Sequence, residues 1–142
     1  MIAYLDTSAL VPLLVTEPAS PACRRVWDDA DDVVSNRLCF VETAAALAQA
    51  KRLKRLTARA HRAALGILTG LWEQLEIVEV DQPLVDRAAA LADRFDLRGY
   101  DAVHCASAEL INDDQLVAVT GDRHLLRAWR GLGLTTYDTT QT

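Results

Sequence analysis

With 142 residues, 51% of them hydrophobic, the chain is long enough for one domain that buries about two-thirds of the surface its unfolded form would expose, so a core and a recessed site are both within reach. A formal net charge of -5 argues against a surface basic throughout, as phosphate binding would favour, although the total hides how the basic residues are distributed. The cysteines Cys23, Cys39 and Cys105 are odd in number and form no CxxC pair, so neither a disulfide framework nor a zinc site follows. Cys39 and Cys105 stand among apolar residues and are expected to be buried. The opening MIAYLDTSAL has no basic segment or small-residue cleavage site, and no uncharged apolar stretch of about 18 residues occurs. A cytoplasmic protein with no membrane association is the expectation.

In chain order, short apolar runs rich in β-branched residues predict strands at 2–5, 32–35, 75–80, 116–120 and 134–137. Helical patterns fill the intervals: 7–15, 18–30, 38–55, 58–74, 82–95, 101–111 and 122–130, with Thr57 and Asp81 as capping candidates. No linker or repeat interrupts them, which predicts a single domain over 1–142. Such alternation favours a mainly parallel sheet covered by helices on both faces, because parallel neighbours need long crossovers. Strand order is not readable from one sequence.

Four acids stand apart. Asp6 directly follows the first strand and Asp122 follows the fourth after one glycine, at the edge where open α/β sheets bind ligands. Either alone reads more readily as a helix N-cap or a first-turn carboxylate favoured by the helix dipole. Glu42 is the only charged residue between Leu38 and Ala50, and its helical neighbours three and four positions away offer no cation. Desolvated and unpaired, it should be neutral or bound to a cation. Asp101 lies in the first turn of the apolar helix GYDAVHCASAELI. His104 follows one turn later; a histidine on an apolar face is more often a hydrogen-bonded core residue than a ligand, and it is not placed in the catalytic set. Converging without lysine or arginine, four carboxylates would repel one another unless they held a hard cation, and oxygen-only ligation suits Mg²⁺ or Mn²⁺. Such an ion would ease deprotonation of water, orient a scissile phosphate and neutralise charge on the leaving oxygen.

In this order, YLDTSAL, SNRLCFVETAAAL, DLRGYDAVHCASA and VTGDRHLL resemble the acidic motifs of the PIN-domain ribonucleases of the VapC type, the toxin half of bacterial type II toxin–antitoxin pairs. The third motif is the most specific, and the similarity covers nearly the whole chain. Gly121 within TGD is a local departure at a position where members vary. The resemblance implies Asp6 and Asp101 as the principal metal-binding acids, Glu42 and Asp122 as the acids completing the pocket, and Ser8 and Thr120 as hydroxyls lining it. It also implies a three-layer α/β/α sandwich, Mg²⁺-dependent endonucleolytic cleavage of RNA that inhibits translation and growth, homodimers, and inhibition by a small antitoxin. A PIN-like RNA-binding or RNA-processing nuclease outside a toxin–antitoxin pair is the alternative.

Lys51, Arg52, Lys54, Arg55, Arg59 and Arg62 place six of the fifteen basic residues within twelve positions. They are candidates for holding the RNA backbone, or an ordinary solvated face. Arg123, His124, Arg127 and Arg130 form a weaker cluster beside Asp122. Trp27, Trp72 and Trp129 each fall in a helix and serve base stacking, core or dimer contact equally well. Two other classes fail on required residues: no lysine follows Lys54, as a phosphoacceptor receiver domain would need, and Ser8 stands where a DxD phosphatase needs its second acid.

Overall fold

The computed structural model describes residues 1–141. Strand β1 (Ile2–Leu5) buries Ala3 and Leu5 in one hydrophobic cluster and Tyr4 in another. Alternating side chains can do this only in a sheet covered on both faces. With β2 (Asp32–Asn36), β3 (Glu76–Val78), β4 (Leu116–Thr120) and β5 (Thr136–Asp138), it forms a five-stranded sheet in the order β3-β2-β1-β4-β5. Every neighbouring pair is parallel, from Ala3 beside Val33 on one flank to Ala3 beside Val117 on the other.

Helices α1 (Thr7–Leu10), α2 (Ser20–Asp29), α3 (Cys39–Arg52) and α4 (Ala58–Trp72) cover the face that carries Ala3, Leu5, Val33 and Val119. Helices α5 (Gln82–Phe95), α6 (Gly99–Leu110) and α7 (Arg123–Gly131) cover the other, packing on Tyr4, Val34 and Ala118 around the fully buried Trp129. The result is the three-layer α/β/α sandwich. All three cysteines are free and buried, with desolvation pushing the Cys39 thiol up to about 11. Trp27 and Trp72 pack against the core of the first face, Trp72 edge-on to Phe40 at 5.3 Å. No helix among the described residues is long and apolar enough to cross a membrane.

Element boundaries depart from the sequence reading where local chemistry intervenes. The helix predicted over 7–15 stops at Leu10 and continues as a 3-10 turn, Val11–Leu13, because Pro12 has no N–H for the α-helical ladder. The helix predicted to 55 ends at Arg52, and the chain turns through Lys54 in the left-handed region, φ 60°. Strand β3 is a three-residue edge strand, because β2 offers it only Val34–Asn36. Strand β5 starts two residues late, after Gly133 at φ 81° and a buried Leu134.

The order of strands places β1 at the centre. From it the chain steps outward to β2 and β3, then returns to the opposite flank for β4 and β5. The resulting switch point opens a crevice beyond the C-terminal ends of β1 and β4.

Candidate active site

Asp6 leaves β1 at that switch point and is 3% exposed. As N-cap of α1, its Oδ1 accepts from the Ala9 N–H at 3.1 Å and the Ser8 hydroxyl at 2.7 Å; Oδ2 accepts from the Thr120 hydroxyl at 2.7 Å. The two hydroxyls stitch β1 to the end of β4: Ser8 Oγ accepts from the Gly121 N–H at 2.8 Å and Thr120 Oγ1 from the Asp122 N–H at 2.9 Å. Burial raises the Asp6 pKa, against the opposing pull of these hydrogen bonds. Ser8 lines the cavity, whereas Thr120 is fully buried and stands behind Asp6.

Asp122 caps α7 through the Leu125 N–H at 3.0 Å. The capping role and the site position therefore coincide at both strand ends. Asp101, in the first turn of α6, has its pKa raised by burial and then by the charge of Asp122, against the pull of Arg98. Asp6, Glu42, Asp101 and Asp122 line one cavity of about 390 Å³, together with Ser8, Glu17, Arg98 and His104.

Two expectations are corrected here. Glu42 is not unpaired: its side chain is 16% exposed, and Oε1 lies 2.8 Å from His104 Nε2 across the edge of the sheet. Helical neighbours alone could not reveal a partner that comes from α6. Nor do the acids converge without a cation, because Arg98 lines the same cavity with its Nε 3.4 Å from Asp101 Oδ2. Its place three residues before Asp101 was the available signal. Glu17 precedes α2 and had no signal of its own.

The basic residues Lys51, Arg52, Lys54, Arg55, Arg59 and Arg62 are all exposed, and none lines the acidic cavity. Arg55 lines a groove of about 690 Å³ that shares Val11, Glu17 and Ala46 with that cavity. Arg123, His124, Arg127 and Arg130 are exposed along α7.

The carboxylates of Asp6, Glu17, Glu42, Asp101 and Asp122 line the cavity, the right chemistry for a hard divalent cation. Among the described residues no three His, Cys, Asp or Glu side chains are grouped closely enough to hold an ion between them. A cation there would take few protein ligands, with water and substrate completing its shell, as is usual for Mg²⁺.

Residues 3–130 match the family model of the PIN domain. Ribonuclease VapC49 of Mycobacterium tuberculosis is 39% identical over 124 residues, covering 87% of this chain and 86% of that protein. Among solved structures, PAE2754 of Pyrobaculum aerophilum superimposes with a TM-score of 0.71 at 26% identity, covering 98% of this chain and 90% of that one. A toxin–antitoxin complex from Klebsiella pneumoniae contains a chain with the same fold, TM-score 0.62 at 18% identity, with 99% of each chain covered. The chain thus belongs to the PIN-domain family, among the ribonucleases of the VapC type.

Proposed function

We propose that this protein is the toxin of a type II toxin–antitoxin pair and an endoribonuclease that uses a divalent cation, Mg²⁺ with Mn²⁺ as substitute. The observation that supports it most directly is that Asp6, Glu42, Asp101 and Asp122 line one cavity at the switch point of the sheet. Asp6 and Asp101 would hold the cation, with Glu42 and Asp122 completing the acidic pocket. When bound, the cation offsets the charge of the scissile phosphate and favours deprotonation of the attacking water. The chain's own part is orientation. Ser8, Thr120 and the Ala9 N–H fix the Asp6 carboxylate, Leu125 fixes Asp122, and His104 fixes Glu42. Arg98, beside Asp101 at the mouth, is placed to meet a phosphate oxygen. In this reading the RNA backbone follows the groove that Arg55 lines, and Lys51, Arg52, Lys54, Arg59 and Arg62, exposed on the neighbouring stretch of chain, are the further candidates for holding it.

Purified protein is expected to cleave RNA with Mg²⁺ or Mn²⁺, leaving a 5′-phosphate and a 3′-hydroxyl, and to stop on addition of EDTA. Asp6→Asn and Asp101→Asn should each abolish cleavage while circular dichroism shows the fold retained. Cleavage that persists without metal and survives both substitutions would overturn the reading. The partners in this reading are a small antitoxin and a second copy of the chain. Light scattering of the protein alone and mixed with its antitoxin tests both, and growth arrest with loss of translation on induction tests the cellular effect.

A further inference from the structure

Beneath the cavity a chain of buried polar side chains leads up to it: Asn36 at the end of β2, Tyr4 in β1 and His104 in α6, each no more than 1% exposed. We propose that this chain fixes His104 as the Nε2–H tautomer, and that His104 is the positioning residue that holds Glu42 for cleavage. The inference rests on the nuclease reading above for its kinetic consequence only.

The direction of every bond follows from one group that can only donate. The Cys39 backbone N–H lies 3.0 Å from Asn36 Oδ1, so that atom is the amide oxygen and Nδ2 is the donor. Asn36 Nδ2 donates to Tyr4 Oη at 3.1 Å. The Tyr4 proton then goes to His104 Nδ1, 2.8 Å away. An accepting Nδ1 leaves the ring proton on Nε2, where it is donated to Glu42 Oε1 at 2.8 Å, with Thr7 Oγ1 flanking at 3.4 Å.

The alternatives are worse. The Nδ1–H tautomer would turn a bare Nε2 lone pair toward a carboxylate oxygen. A ring protonated on both nitrogens would turn Nδ1–H toward Tyr4 Oη, leaving the buried Tyr4 proton with no acceptor, since its other neighbour, Asn36 Nδ2, is itself a donor. The Tyr4 ring cannot easily swing aside, because it is packed edge-on between His104 and Trp129, with both centroids 5.9 Å away. Orientation of a functional group by a fixed hydrogen-bonded neighbour is the usual role of such buried partners.

Two measurements test this. In ¹⁵N-labelled protein, a long-range proton–nitrogen spectrum of the histidine rings should show a bare Nδ1 and a protonated Nε2 for His104, assigned by its loss in His104→Gln. In RNA cleavage, His104→Gln, whose amide nitrogen reaches the Nε2 position, should keep most of the wild-type kcat. His104→Asn reaches only the Nδ1 position and should lower kcat by about 10- to 100-fold with KM little changed. A spectrum showing Nδ1–H or both nitrogens protonated overturns the proposal, as does equal kcat in the two folded variants. If the wild type cleaves no RNA, the nuclease reading fails while the spectrum still decides the tautomer.

Discussion

At Gly121, a Cβ would meet Thr139 Oγ1 at 2.8 Å and Ser8 Oγ at 3.6 Å, while the N–H of the same residue holds Ser8. Gly121→Ala is therefore expected to cost about 1–3 kcal/mol by overpacking against the Thr139 hydroxyl, with Ser8 left in ordinary contact, read by thermal melting. Asp101 shows the opposite balance between stability and function. Burial and Asp122 raise its pKa in the folded chain, so the native state binds more protons than the unfolded one between the ordinary carboxylate value and the raised one. Its contribution to stability falls as pH rises through that interval, and the full cost is present at neutral pH. Asp101→Asn should thus raise Tm near about pH 7, and the gain should vanish in acid below the ordinary carboxylate range. Both effects arise from residues that the sequence already marked. Glu42 was legible as an anomaly because its own helix has no cation for it. Its partner was not, since His104 is 62 residues away and reaches it across the layers. Read singly, His104 was a hydrogen-bonded core residue, which it is.

Among the elements, α5 and α6 pack as a pair whose register sets where Asp101 and His104 stand. Leu91 of α5 is fully buried in the core they share, and Leu91→Ala should cost about 2–5 kcal/mol by denaturant titration. On the surface Arg87 forks onto Glu109, at 2.6 and 2.7 Å, and holds its carboxyl below the usual range. A group with a lowered folded pKa stabilises above the unfolded value and loses that contribution as pH falls through the folded one. Arg87 is 47% exposed, so Arg87→Gln should cost only about 0.5 kcal/mol at neutral pH. Melting in acid, with Glu109 protonated, should show no difference. Helix and strand positions were legible because hydrophobic periodicity survives in nearly every element. Their ends were not, where a single residue such as Pro12 or Lys54 changes the backbone rule.

Across the molecule, cation binding and folding are linked, since an ion that binds the assembled site and not the unfolded chain stabilises by RT ln(1 + [L]/Kd). Millimolar Mg²⁺ should raise the Tm of the wild type, EDTA should reverse the rise, and a variant carrying both Asp6→Asn and Asp101→Asn should show none. The order β3-β2-β1-β4-β5 was beyond the sequence, because alternation of strand and helix is satisfied by many orders. That order has a consequence for synthesis. Asp6 is gripped by Thr120 across 114 residues of chain, and Asp122 lies beyond that. While the ribosome is still making the protein, the early acids have no fourth strand beside them, and the pocket has only part of its carboxylates. A chain truncated before Leu116 should accordingly be harmless to the cell that makes it. In the proposed reading, the centre of the sheet would keep the cutting site incomplete until β4 and Asp122 have been made.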